Sequence, residues 1–351
     1  MGTRRVVSVL LVFLVAAVLL VVVFWHGSET QRDEGIVITD LAGRRVTLPE
    51  NPQRIVAVGG GALRLITYLD ATDLVVGVED IEKSTVTRPY LLVHPELSGL
   101  PPAGPRHGGD AELIAALRPD IIFLTRWTDK MDTLQSSTGA PVVYLGDSEA
   151  DFDELYSALR VAGESLGRGE RAEELIGYTE SAIADLKKRS ENVHYRPRVY
   201  VGGMGRSENG ILETRTDYIP FALLDARTIE DMPGVELPSK IKEGQMTIDP
   251  EILLEWGPEY IFIDAGGHAL QDLDKPMFSP LSPKGISEVL PYRDYGDNYE
   301  TILVDSYFIG SIIYPESFSD VDPAKKADEI YTMFVGAPVY KDMKDIWLGG
   351  Q

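Results

Sequence analysis

The sequence predicts an α/β fold: two parallel-sheet lobes bridged by a single long helix, a ligand cleft between them, and an N-terminal transmembrane anchor. Three observations carry this. Short apolar strand-like runs alternate with helix-periodic runs along most of the 351 residues, the pattern of parallel sheets covered by helices on both faces. The helix–strand segment ELIAALRPDIIFL at 112–124 recurs as EILLEWGPEYIFI at 251–263, with Glu, Pro, Ile and Phe in register. An unbroken helix-periodic stretch, Gly169 to Ser190, lies between the two halves.

The elements follow in order. MGTRRVVSVLLVFLVAAVLLVVVFWHGSET places Arg4 and Arg5 before an uncharged run, Val6 to Trp25. As a helix this run spans about 30 Å, the thickness of a bilayer core. It ends in bulky Phe24 and Trp25 with no small-residue cleavage site, so 1–30 reads as an uncleaved signal anchor and tether, with a cleaved signal as the alternative. Either way the arginines hold the N-terminus inside and the remainder lies outside the cytoplasm. Alternation in IVITD and RRVTL, split by Ala42-Gly43, predicts a hairpin. Arg54–Val58 is a short strand, Gly59-Gly60-Gly61 a sharp turn, Ala62–Leu69 a helix, and Leu74–Val78 a strand ending at Glu79. The loop PPAGPRHGGD leads to a helix over 111–117, which Pro119 breaks before the buried strand Asp120–Thr125. A further helix and PVVYL complete an N-terminal lobe over 35–160. The interlobe helix is assigned to 161–194 and the second lobe to 195–351, where RVYVGGMG at 198–205 repeats the strand-into-glycine order of RIVAVGGG. A single helix about 33 Å long is a stiff strut, allowing small tilts rather than wide closure.

Composition excludes whole classes. Hydrophobic residues at 44% and charged residues at 25% are ordinary for globular protein. A net charge of −22 repels phosphate backbones, so nucleic acid is not an expected partner. The absence of cysteine removes disulfides, thiolate metal sites, thiol catalysis and lipid attachment through cysteine. No GxSxG, HExxH or GxxxxGK[ST] is present, so an enzyme is not expected.

With these segments in view, the chain resembles a known family. ITDLAGRRVTLPENPQRIVAVGGGALRLITYLDATDLVVGVE, AELIAALRPDIIFL, TIDPEILLEWGPEYIFIDAGG and NYETILVDSYFIGSIIYPE are similar to segments of the substrate-binding proteins that serve ABC importers of iron complexes, haem and cobalamin. The resemblance covers about residues 36–345. It implies two lobes bridged by a long helix and a ligand held between them. It also implies delivery by a monomeric receptor to a permease dimer driven by its ATPase, with no resident cofactor. It further implies acidic docking residues on each lobe, which by position fall near Asp129 or Asp132 and Asp272 or Asp274. Lipoprotein members carry an N-terminal cysteine; here a membrane helix would do the tethering.

Ligands of open parallel sheets sit beyond the C-terminal ends of strands, which selects the candidate binding residues. Gly60 and Gly61 fall in the first glycine turn; Arg64, one turn into the helix, breaks the dinucleotide fingerprint and would add positive charge. Arg126 and Trp127 follow the first copy of the repeated strand, offering an anion partner beside a stacking ring. Gly203 and Met204 stand at the equivalent turn of the second lobe, and His268 follows the second copy. Tyr292, Arg293, Tyr295 and Tyr299 form the densest aromatic and polar loop, suited to a chelate or macrocycle. Glu79, His94, His107 and His268 could converge on a metal, but no HxH or HxxxH pairing supports it. The expected cargo is an iron complex, a ferric chelate or haem. Cobalamin, molybdate or tungstate, a free metal and a non-transport surface domain remain the alternatives.

Overall fold

The structure is a computed structural model that describes residues 35–84, 87–147, 151–205, 208–234 and 245–349. The expected anchor over 1–30 lies outside the described residues. Among the described residues no helix is long and apolar enough to cross a membrane.

The chain opens with the expected hairpin, β1 (Ile36–Thr39) and β2 (Arg45–Leu48), paired antiparallel with Ile36 opposite Leu48. The first sheet then builds from β3 (Ile55–Val58), α1 (Ala62–Tyr68), β4 (Val75–Glu79), the short helices α2 (Ile81–Ser84) and α3 (Pro89–Val93), β5 (Pro102–Gly104), α4 (Ala111–Leu117), β6 (Ile121–Leu124), α5 (Met131–Thr138) and β7 (Val142–Tyr144). Its five strands are parallel in the order β5-β4-β3-β6-β7. Every residue of β3 and β6 is buried, as their unbroken apolar runs require. Asp110 caps α4 by accepting from Glu112 and Leu113 N–H at 3.0 Å, and Pro119 follows its left-handed end at Arg118.

Two helices, not one, follow. α6 (Phe152–Leu166) starts on an Asp151 cap and stops at Gly167; α7 (Gly169–Glu191) is the long helix, about 34 Å by its residue count. The segment 161–194 therefore contains the last turns of α6, a reversal and then the strut.

The second sheet is smaller than the repeat suggested. β8 (Val199–Gly202) leads through β9 (Glu213–Arg215), α8 (Ile219–Leu223) and β10 (Gln245–Thr247) to α9 (Pro250–Trp256), β11 (Tyr260–Asp264) and β12 (Gly285–Val289). Among the described residues of this lobe β8, β11 and β12 form the parallel sheet, in the order β12-β11-β8; β9 and β10 form a separate antiparallel pair. Between β11 and β12, Pro276, Pro280 and Pro283 interrupt any long helix, and the chain makes short 3-10 turns instead.

The closing helices α10 (Tyr299–Ile313), α11 (Pro323–Val335) and α12 (Tyr340–Trp347) join the halves. Phe334 of α11 packs edge-on against Tyr68 of α1 at 5.0 Å, and Trp347 Nε1 donates to the Thr87 carbonyl at 3.2 Å. One hydrophobic core runs through both, from Ile55 and Ile66 to Val199, Ile302 and Phe334. The lobes are thus bound by shared apolar packing as well as by the strut.

Candidate functional site

In the first sheet β4 and β5 lie to one side of β3 while β6 and β7 lie to the other. The crevice at that switch lies beyond the C-terminal ends of β3 and β6. Gly59-Gly60-Gly61 and Thr125-Arg126-Trp127 occupy those ends. They are in contact: Thr125 Oγ1 donates to the Gly60 carbonyl at 2.9 Å. Gly59, at φ +98°, lies so close to Thr125 that a Cβ there would come within 2.4 Å of its carbonyl oxygen.

The loop after β12 closes over this crevice from the second lobe. Gly296 lies on the backbone of Gly60 and Gly61, where an added Cβ would meet atoms at 2.8 Å. Tyr295, in the left-handed region at φ 53°, donates its hydroxyl to Glu79 Oε2 at 2.6 Å and accepts the His107 N–H at 2.8 Å. Glu79 is buried and also accepts from the N–H groups of Gly59, Gly108 and Gly109 at 2.8–3.0 Å. Burial pushes its carboxyl above the ordinary value, against the Tyr295, Gly108 and Gly59 hydrogen bonds.

Two buried arginines fix the same loop. Arg64 is 1% exposed, and its guanidinium donates to the Asp297 and Asp294 carbonyls, each at 3.0 Å. Arg88 pairs with Glu82 at 2.9 Å and Asp294 at 3.3 Å, and lies over the Tyr295 ring at 5.8 Å. Thr87 Oγ1 adds a bond to Asp294 at 2.8 Å. Arg64 therefore organises the junction through the chain and offers almost no surface to a ligand.

Asp297 marks where charge converges. It is fully buried, and neither carboxylate oxygen has a hydrogen-bond partner among the described residues; Arg293 Nε lies 3.5 Å from Oδ1. Burial raises its pKa, against the positive fields of Arg293, Arg64, Arg215 and Arg126. Arg126 comes from the end of β6 in the first lobe, whereas Arg215 and Arg293 come from the second. Arg215 is held in a two-bond fork by Asp217, both contacts at 2.8 Å, and Arg126 Nε donates to the Asp147 carbonyl at 2.6 Å. The interlobe junction is thus rich in arginine inside a strongly acidic protein.

The other expected residues divide. Trp127 is half-buried with its ring 4.6 Å from that of exposed His107, and Tyr295 lies 6.0 Å from His107, so three rings gather at the junction. Tyr292 and Tyr299 belong to the core instead: both are buried, and the Tyr292 hydroxyl has no partner among the described residues. Gly203 is buried and Met204 half-buried, with the Met204 N–H donating to the Glu213 carbonyl at 3.1 Å; His268 is exposed. Asp129, Asp132 and Asp274 are exposed. Asp272 braces its own lobe, accepting from the Ile211 N–H at 3.0 Å and pairing with Lys275 at 2.7 Å. Among the described residues no group of three or more His, Cys, Asp or Glu is placed to hold a metal.

Sequence reasoning missed Asp297, Arg215 and the Arg88–Glu82 pair, and it weighed Glu79 only as a metal ligand. The signal for Glu79 was a carboxylate at the end of the apolar strand VVGVE; the other three carried none.

Two α/β lobes joined across an arginine-rich junction have the build of a solute-binding protein of the two-lobe type. The chain belongs to the periplasmic binding protein family, whose model matches residues 55–279. This is a family of solute-binding proteins serving ABC transporters, not of enzymes. The molybdate-binding protein MolA of Haemophilus influenzae is 24% identical over 344 residues, covering 85% of this chain and 90% of that protein. The petrobactin-binding protein YclQ of Bacillus subtilis is 23% identical over 248 residues, covering 70% of this chain and 73% of that protein. The solved structure of Haemophilus influenzae MolA bound to molybdate matches with a TM-score of 0.68 at 21% identity, covering 86% of this chain and 98% of that one.

Proposed function

We propose that this protein is the membrane-tethered, extracytoplasmic receptor of an ABC importer, and that it captures an iron complex, a ferric chelate or haem, between its lobes. The arginine-rich junction carries this reading: Arg293 lies 3.5 Å from the buried Asp297 carboxylate, and the fields of Arg126 and Arg215, one from each lobe, reach the same group. Guanidinium groups match carboxylate, catecholate and oxyanion ligands in charge and geometry. The ring cluster of Trp127, His107 and Tyr295 supplies flat apolar area beside them. Release to a permease dimer, driven by its ATPase, completes the cycle without any bond being made. The helix read at 6–25 supplies the tether. The receptor works as a monomer, with Asp129, Asp132 and Asp274 as exposed docking acids; the engaged Asp272 is the weakest member of that set.

A second reading, an oxyanion such as molybdate, is favoured by one observation: the MolA relative covers most of both chains. A thermal-shift series on the full chain separates the two. Ferric citrate, a ferric catecholate, haem, cobalamin, molybdate, tungstate and free divalent metals are each added far above a micromolar Kd. A ligand at one hundred times its Kd stabilises by about 2.7 kcal/mol. Stabilisation by a ferric chelate or by haem alone supports the proposal, and stabilisation by molybdate or tungstate alone selects the second reading. If only cobalamin or bare metal stabilises the protein, the iron-complex proposal is wrong. Partition of the full chain into the soluble fraction of cells would overturn the tether.

A further inference from the structure

A cavity of about 250 Å³ opens between the edge strand β12, the helix α10 and the last helix α12. None of the junction residues described above lines it. Phe308 and Leu348 give it apolar wall, and Asp305 lines it from α10. Asp305 is 1% exposed. The Leu290 N–H donates to its Oδ1 at 3.2 Å, while Oδ2 has no hydrogen-bond partner among the described residues. A buried carboxyl oxygen left without a donor costs free energy that a ligand can recover.

The charges around the cavity point to the sign of that ligand. Glu288 lines it from β12, Asp264 acts on Asp305 from the end of β11, and Asp328 acts on Tyr340 from α11. Lys344 is the cation in the lining, and its ammonium lies over the Tyr340 ring at 5.9 Å. Burial, with the field of Asp264 added, holds the Asp305 carboxyl well above the usual carboxylate range.

We propose that this cavity is a second binding site, separate from the interlobe junction, for a small organic ammonium ion. The ammonium gives Asp305 Oδ2 its missing donor, and the apolar body packs on Phe308 and Leu348. Any proton on Asp305 passes to water as the ion pair forms. The volume, below that of drug-sized pockets, admits a single ring or a short alkyl chain.

Calorimetric titration of the full chain with benzylamine, benzyl alcohol and benzoate tests this. Benzylamine should bind about tenfold or more tighter than benzyl alcohol, the difference expected of one charge-assisted hydrogen bond. Benzoate should not bind. Asp305→Asn should bring benzylamine down to the level of the alcohol, and Leu348→Trp, which fills the cavity, should abolish binding while leaving Asp305 in place. The proposal fails if alcohol or benzoate binds as well as the amine, if either variant binds benzylamine like the parent, or if no benzylamine binds at millimolar concentration. Should Asp305→Asn not fold, the Leu348→Trp arm and the amine-to-alcohol ratio decide.

Discussion

Replacing Tyr295 by phenylalanine removes one hydroxyl from the interlobe junction and keeps the ring. That hydroxyl joins Glu79 Oε2 at 2.6 Å to the His107 N–H at 2.8 Å. His107 is exposed, so its N–H can turn to water. Glu79 cannot: it is 1% exposed, and Oε2 would keep only the Gly59 N–H at 3.0 Å. Hydrogen bonds to charged groups contribute about 1.5–3 kcal/mol, which sets the expected loss near neutral pH. Urea unfolding of the full chain reads it as a lower midpoint at unchanged slope. The pH dependence gives a second reading. Burial holds Glu79 above the ordinary glutamate value of 4.5, and the Tyr295 hydroxyl is the strongest group opposing that rise. An acid with a raised folded pKa binds its proton more tightly when folded, so its stability contribution is best at low pH and declines as pH climbs from 4.5 through the folded value. Loss of the hydroxyl raises the folded value further and extends the decline. The variant's deficit should therefore be smaller near pH 4.5 than near pH 8, with all other titrations cancelling between the two proteins. A deficit below about 0.5 kcal/mol near pH 8, or one equal at both pH values, would show that this bond does not hold the lobes and refute the reasoning.

Three further outcomes follow from the same geometry. Gly59→Ala drives a Cβ to 2.4 Å from the Thr125 carbonyl at φ +98°, so it should destabilise by about 2–4 kcal/mol or prevent folding, as read by urea midpoint or soluble yield. Glu259 is held down to about 2 by Lys284, the Tyr195 hydroxyl and the Arg198 N–H, which together outweigh burial. A depressed acid stabilises above its unfolded value and loses that as pH falls, so stability should drop between about pH 4.5 and 2, and Glu259→Gln should flatten that limb of an acid titration followed by circular dichroism. Arg126→Ala should weaken the ligand found by thermal shift about tenfold or more, with a urea midpoint near that of the parent; unchanged affinity would remove Arg126 from the site.

The principal strands of the first lobe, the helices around them and the strut were legible in the sequence because their signals are local. Unbroken apolar runs mark β3 and β6, Asp110 and Pro119 bracket α4, and seven small or apolar positions in Gly169–Ser190 mark the long helix. The repeated helix–strand announced a second parallel sheet; among the described residues that sheet has three strands against five in the first, because a helix–strand signature carries no information on how many neighbours its strand acquires. The junction was legible only in outline. Trp127 could be placed near it from its strand end and Tyr295 from its aromatic loop, whereas Tyr292 and Tyr299, read from the same loop, turn into the core.

What the sequence determined by itself was an α/β architecture of parallel-sheet lobes around a long helix, and the binding rather than catalytic class. Tertiary structure decided the rest. Glu79 meets Tyr295 across 216 residues and Arg64 meets the Asp297 carbonyl across 233. Such pairings depend on the angle at which two lobes settle against a shared core, and no periodicity or motif within either partner encodes that angle.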